Sequence, residues 1–513
     1  MAEDLNVDEW EMYDALAKLT DNNSSLEPIR SKKVELPKDV LKWRDVVGQF
    51  SLHNEYPAVM SYFVTLGQIL KDSVRIPVGR LSLDPRIHYC WIQTSRSGKT
   101  TMFDFLEPVW KSTFELVNTW PTTQEQTPLS GVREFTLNNP DSFTDQALLG
   151  TMKINTPNPD YNRADARAAL ADGEDYEHPE LIDMTIYGSL YGSGIIAFDE
   201  FEHSGIFKES QHKQETVMLF QKFMNRLDSE SHLIKKRLTE WGRDLIVDSQ
   251  RSLWATTLPP EGLERVILTK GVFQRMWLYV REIPESLRSQ MESDYLDMIG
   301  EIVEDDSGAA TYQEEFSEML YSTYRWVQER LEKVDGDKRK VVNMTPDAKK
   351  AIKVVWSSMK QYMNGMDDNI YVAINTFFMN MINNICIAAA LCAITERSSK
   401  ITAKHINQGR KLTDESFDSI VSWFEEKLKK RPKRIADKNN EKMFINAYNS
   451  TQPKTTIDGS EGWVDKRLMI EAFRKNEQCG RNKFYRHWDS AKHLFEEVRK
   501  TKTYVKLRVK RDE

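Results

Sequence analysis

The chain has 513 residues, of which 40% are hydrophobic, 29% charged and 10% aromatic, a composition that fits about two to four globular domains and excludes disordered and collagen-like classes. Its most apolar stretch, Ile370 to Ile394, carries Asn375, Asn380, Asn383 and Asn384, amides that hydrocarbon penalises, so no membrane span is expected. The net charge of −7 is unevenly spread: residues 427–513 hold 24 Lys and Arg against 12 Asp and Glu, leaving 47 against 66 in residues 1–426, or +12 beside −19. A basic terminal module on an acidic body is an electrostatic footprint of phosphate-backbone binding, with a solvated charged face as the plainer alternative.

Residues 1–50 open with Glu3, Asp4, Asp8 and Glu9 and read as an acidic arm or small helical element. They show no basic flank followed by an apolar run, so a cytoplasmic location is expected, the host cytoplasm if a virus encodes the chain. The four cysteines, Cys90, Cys386, Cys392 and Cys479, form no CxxC pair and have no histidine at zinc-ligand spacing, which predicts free thiols. Val59, Phe63, Leu66 and Leu70 have helical spacing, and His88 to Ile92 reads as a buried strand.

After that strand come Gln93-Thr94-Ser95-Arg96-Ser97-Gly98-Lys99-Thr100-Thr101 and then a helical Met102 to Leu106. Strand, loop and helix in this order form a phosphate-binding loop. Backbone N–H groups and the helix N-terminus surround the phosphates, Lys99 reaches the β and γ phosphates, and the Thr100 hydroxyl holds Mg²⁺. Ser95, Arg96, Ser97, Gly98, Lys99, Thr100 and Thr101 are the candidate ATP contacts, although Gln93 stands where the pattern has its first glycine. A chance loop is the competing reading.

Residues 155–180 are polar and read as an insertion or mobile loop within a core spanning 51–300. Gly194 to Phe198 is an apolar strand running into Asp199-Glu200, where the aspartate orders the Mg²⁺ shell and the glutamate polarises the attacking water. A buried strand ending in a solvated acidic loop is the alternative. Ser252 to Ala255 is a third strand, ending at Thr256-Thr257, and Thr257 there can contact the γ-phosphate or the lytic water. A strand ending in an ordinary Pro turn is the other reading. Arg275 precedes the apolar strand through Val280, either as an arginine finger reaching a neighbouring subunit's nucleotide or as a surface arginine.

Beyond an acidic connector at 301–310, Phe316–Leu331 and Pro346–Met363 read as helices, and 427–460 as a basic linker around Pro432. In 461–513, Trp463 to Phe473 and Asn482 to Val498 read as helices and Thr503 to Lys510 as an alternating strand, compatible with a winged helix whose wing presents Lys506, Arg508 and Lys510 on one face.

Taken together, residues 55–425 resemble the AAA+ ATPases related to the minichromosome-maintenance replicative helicases, including divergent forms of viruses and mobile elements. After the Walker B acids come a helix through Phe220, Phe223, Met224 and Leu227 and then Ile234 to Val247. In that family this interval carries a β-hairpin whose basic tip touches DNA. The resemblance implies an α/β fold with an AAA+ P-loop core on a parallel sheet, a helical lid over 311–426 and a winged-helix-like terminal domain. It makes Lys99, Asp199, Glu200, Thr257 and Arg275 the catalytic set, with ATP and Mg²⁺ as cofactors and Thr100 and Asp199 at the metal. Lys235, Lys236, Arg237 and Arg243 become the hairpin's DNA contacts, with Trp241-Gly242 at its turn. Implied partners are single-stranded or forked DNA, further copies in a homo-oligomeric ring such as a hexamer, and a primase or other replication protein. The sequence departs from the family in having threonine for the sensor asparagine, Asn375 for the lid arginine, and no zinc-binding N-terminal domain. Two other functions remain open on the residues alone: a viral DNA-packaging ATPase of the terminase kind, and an ATP-switched DNA-binding or loader protein that unwinds nothing.

Overall fold

The computed structural model describes residues 34–509 except 52, 79–80, 96, 121–133, 141, 205, 207–213, 228–229, 239–242, 260–262, 264–270, 284, 299–305, 333–338, 365, 367, 431–432, 453, 458–459, 477–483, 485–487, 489–490, 492–493 and 500–504. Chain packing divides them into two units, one ending at Trp423 and one starting at Phe424.

Among the described residues the first unit opens with helix Lys38–Phe50, whose Val40, Trp43, Val46 and Val47 recur at helical spacing and are buried. Helix Glu55–Ile69 is buried on every side from Tyr56 to Ile69, the pattern of a central helix. Its Ser and Thr hydroxyls donate within the helix, Thr65 Oγ1 to the Ser61 carbonyl and Ser61 Oγ to the Ala58 carbonyl, both at 2.7 Å, and Ser61 Oγ also accepts from Trp43 Nε1 of the preceding helix at 2.9 Å. Strand β1 (Val74–Val78) then pairs antiparallel with β2 (Leu81–Leu83).

Five strands make the central sheet: β3 (Tyr89–Gln93), β4 (Phe135–Asn138), β7 (Gly192–Phe198), β10 (Ser249–Thr257) and β11 (Trp277–Arg281). Their order is β11-β3-β10-β7-β4 and every pairing is parallel. All residues of β3, β7 and β10 are buried, as expected for parallel strands covered on both faces. Gly194 is required where β7 meets β4: its φ is +112°, and a Cβ there would lie 1.9 Å from the Thr136 carbonyl oxygen. Arg251 ties the same edge, donating to the carbonyls of Tyr191 and Thr136 and to Thr136 Oγ1.

Between β4 and β7 the chain leaves the sheet. Strands β5 (Gly150–Pro157) and β6 (Leu181–Tyr187) form an antiparallel ribbon carrying helix Arg163–Asp172. The insertion expected at 155–180 is therefore a structured arm and not a plain loop, because β-branched and aromatic residues at 150–157 and 181–187 pair across it. A second ribbon, β8 (Ile234–Leu238) with β9 (Arg243–Val247), follows helix Gln214–Phe223. Helices Asp306–Arg330, Pro346–Asn364, Asp368–Thr395 and Ala403–Lys430 occupy most of 306–430, joined by the short strands β12 (Lys340–Val341), β13 (Asn343–Met344) and β14 (Lys400–Ile401). No described helix is long and apolar enough to cross a membrane. Cys90, Cys386 and Cys392 are buried free thiols, and Cys479 lies outside the described residues.

The second unit contains helix Lys433–Ser450, β15 (Thr455–Ile457), β16 (Ser460–Asp465), helix Lys466–Asn476, β17 (Phe495–Arg499) and β18 (Val505–Val509). Its antiparallel sheet has the order β15-β16-β18-β17. Three expectations change here. Much of the expected linker 427–460 is helix, because Phe444, Ala447 and Tyr448 belong to this unit's core. Trp463 and Val464 are in a strand, and the helix begins at Lys466. Phe495 to Arg499 is strand where a helix was expected to run to Val498, its residues pairing with β18.

Candidate functional site

In an open parallel sheet, ligands bind beyond the carboxyl ends of strands where the chain's crossovers diverge. From β3 the chain crosses to β4 at one edge, and from β10 it crosses past β3 to β11 at the other. The crevice between the ends of β3 and β10 is thus the expected site. The loop 94–98 lies at the end of β3, and Thr256 and Thr257 lie at the end of β10.

Gly98 caps helix Lys99–Asn118 in a left-handed conformation, φ +78°. Only glycine fits, since a Cβ would approach Ser51 Oγ to 2.6 Å. Lys99 folds back over the loop, its Nζ donating to the carbonyls of Gln93 at 2.7 Å and Thr94 at 2.9 Å and to Ser97 Oγ at 3.3 Å. Burial pushes the Lys99 pKa down, while Asp199 and Glu202 push it up. Thr100 and Thr101 are exposed on the helix's first turn, Ser95 is exposed, Ser97 is buried, and Arg96 lies outside the described residues.

Asp199, one residue past β7, collects the site. Thr100 Oγ1 donates to its Oδ2 at 3.1 Å, Thr256 Oγ1 to its Oδ1 at 2.5 Å and the Glu200 amide to Oδ1 at 3.2 Å. The expected metal pair, Thr100 and Asp199, therefore stands together, and a hydroxyl with a carboxylate fits Mg²⁺, which takes a few protein oxygens and completes its shell from phosphates and water. Glu200 is placed differently from expectation: its φ is +56°, and its exposed carboxylate pairs with His203 Nε2 at 3.2 Å. Glu202 stands closer to the loop, being among the charges that act on Lys99 and accepting a hydrogen bond from Thr257 Oγ1. So Thr256 holds Asp199, the acid expected at the metal, and Thr257, the residue expected to sense phosphate, is tied to Glu202.

Sequence reading missed four contributors. Ser51 Oγ donates to the Gly98 carbonyl at 2.8 Å, and Asn54 Nδ2 to the Ser97 carbonyl at 2.6 Å. Arg281, opposite Gln93 in the sheet, donates to the His53 carbonyl at 2.5 Å. Glu202 is the fourth. Only Glu202 sits inside a recognisable motif, and the rest come from sequence positions far from the loop. Arg275 is exposed at the other end of β11, its Nη1 on the Gly271 carbonyl at 2.9 Å. With β11 spanning about 17 Å at the usual strand rise, it does not join the loop of its own copy. Asn375, half-buried on helix Asp368–Thr395, brings no charge to the place of the lid arginine.

The basic candidates divide. Lys235 is exposed, whereas Lys236 Nζ reaches Asp145 Oδ2 at 3.5 Å. Register puts Arg237 opposite Asp244 and Arg243 opposite Leu238, and their side chains and the turn 239–242 lie outside the described residues. On β18, Leu507 is buried, which turns Lys506 and Arg508 together to the other face. That face is engaged within the unit. Lys506 Nζ donates to Thr455 Oγ1 at 2.6 Å, and Arg508 binds Glu496 and stacks 5.0 Å from the Trp463 ring. Lys510 lies outside the described residues, while Arg467, Arg474 and Lys475 are exposed on helix Lys466–Asn476. No protein-family profile matches this sequence, and no curated protein matches it either.

Proposed function

We propose that the chain is an ATP-driven DNA motor of the AAA+ class, resembling the minichromosome-maintenance helicases, with a winged-helix-like terminal unit. The observation that carries the reading is the contact of Thr100 with Asp199 at 3.1 Å, which joins the loop after β3 to the acid after β7 at the sheet's crossover divergence. Two motifs about a hundred residues apart meet in the order and place that ATP chemistry uses.

In this reading the loop and Lys99 bind the triphosphate, and Thr100 and Asp199 hold Mg²⁺. The metal, when bound, neutralises charge on the β and γ phosphates. Thr256 fixes the Asp199 carboxylate, so the metal oxygen is aimed before nucleotide arrives. Lys99 exchanges its carbonyl partners for phosphate oxygens. A base from Glu200 or Glu202 orients water, and Glu200 does so only after leaving His203. Arg275, at the end of β11 far from its own loop, serves a neighbouring copy in a ring, the hexamer being the expected form. Lys235 on the β8–β9 ribbon and the exposed basic residues of the second unit meet the DNA backbone.

A second reading, an ATP-switched DNA-binding or loader protein, is favoured by the outward turn of Glu200. The packaging-ATPase reading loses support because residues 306–430, where a nuclease would need acidic strands, are mainly helices. ATP turnover by wild type and Lys99→Ala, each with and without single-stranded DNA, decides. Turnover that rises several-fold with DNA and disappears in the variant is expected for the motor. Wild-type ATP binding with turnover no faster than Lys99→Ala hands the assignment to the switch reading.

A further inference from the structure

Ser51, His53 and Asn54, at the junction of helices Lys38–Phe50 and Glu55–Ile69, form a collar behind the phosphate loop. Ser51 and Asn54 are 2% and 1% exposed. Ser51 Oγ donates to the Gly98 carbonyl at 2.8 Å, Asn54 Nδ2 donates to the Ser97 carbonyl at 2.6 Å, and Asn54 Nδ2 also reaches Ser51 Oγ at 2.9 Å. The collar is itself anchored: His53 adopts φ +62° and its carbonyl accepts from Arg281 at 2.5 Å.

In a trans peptide the carbonyl and the following N–H point in opposite directions. Holding the Ser97 and Gly98 carbonyls on the collar therefore turns the N–H groups of Gly98 and Lys99 away from it. The Gly98 carbonyl also accepts from Met102 N at 3.0 Å, so the Lys99 amide points off the open end of the helix, where first-turn N–H groups have no partner within the helix. These are the donors an anion at a helix start uses. A Cβ at position 98 would strike Ser51 Oγ, so the collar and the loop are fitted to one another.

We propose that Ser51 and Asn54 are positioning residues for phosphate binding: they lock two successive peptide planes so that the Gly98 and Lys99 amides are aimed at a nucleoside triphosphate before it arrives. The assignment rests on the nucleotide reading above. It predicts a particular kinetic signature, because backbone amides that hold phosphate equally in the ground and transition states alter KM and leave kcat alone.

The test compares Mg·ATP turnover and ADP affinity of wild type, Ser51→Ala and Asn54→Ala in the full chain, with melting temperature measured alongside. KM for ATP and Kd for ADP are expected to rise about tenfold in each variant, the effect of one buried hydrogen bond, with kcat within about twofold of wild type. Unchanged KM and Kd overturn the assignment, and so does a fall in kcat at constant KM. Should Asn54→Ala fail to fold, Ser51→Ala, which removes a single oxygen, decides alone. Wild type that binds no ATP overturns the proposed function and this assignment together, whereas wild type that binds and variants that bind equally well overturn only the assignment.

Discussion

Thr256 and Thr257 are chemically identical neighbours, and the pleat of β10 sends them to different partners. Thr256 braces Asp199, while Thr257 is tied to Glu202. Removing a partner that orients a metal ligand typically costs 10- to 100-fold in metal affinity. Thr256→Val is therefore expected to raise the Mg²⁺ concentration for half-maximal ATP turnover by about tenfold or more, and Thr257→Val by much less, in a magnesium titration of the two variants. At the opposite ends of the strands, His88 is buried with its Nδ1 accepting from the Leu253 amide, and burial together with Arg86 lowers its pKa from 6.5 to about 3. The unfolded chain therefore takes up this proton first as pH falls. Stability from His88 is complete above about pH 6.5 and is lost toward pH 3, by up to about 1.4 kcal/mol per pH unit. His88→Asn keeps an acceptor oxygen without the titration, so its melting temperature should fall less steeply than wild type between pH 7 and 4.

Among the secondary elements, the arm of β5, helix Arg163–Asp172 and β6 adds little to the core. No residue from 151 to 187 is buried, and Leu170 is 80% exposed. An element that buries no apolar side chain adds little to stability. Replacing residues 151–186 with Asn-Gly, a two-residue turn suited to closing an antiparallel pair, is expected to shift the melting temperature by no more than about 2 °C in calorimetry. The elements that carry the site were legible: helix Glu55–Ile69, strands β3, β7 and β10, and the helix after the loop were all signalled by apolar runs of the right length and period. The second unit was read less well. Around Trp463 and Phe495 the same aromatic residues satisfy a helical spacing and a strand, and only pairing with β18 selects the strand.

At the scale of the whole molecule, the division at Trp423 and Phe424 separates two cores, the second built on Phe444, Phe473, Phe484 and Trp488. Two cores predict two unfolding transitions. Phe473→Ala, which empties a fully buried site at a cost of about 3–5 kcal/mol, should lower one transition in differential scanning calorimetry and leave the other in place.

By itself the sequence determined that β3, β7, β10 and β11 are apolar strands, that a Gly-Lys-Thr loop and an acidic strand end lie along the chain in that order, and that the basic charge is gathered after residue 426, whereas the edge strand Phe135–Asn138 carried no signal that was read. These follow from local period, glycine and charge, which a linear chain already displays. The tertiary structure alone decided that Thr256 and not Thr257 braces Asp199, that Glu200 turns to His203, that Arg508 is engaged by Glu496, and that Ser51 and Asn54 stand behind Gly98. The Glu200–His203 pair is local and turns on the positive φ of Glu200, while the others depend on chain packing and side-chain direction between residues 12 to about sixty positions apart, a proximity that no local pattern encodes.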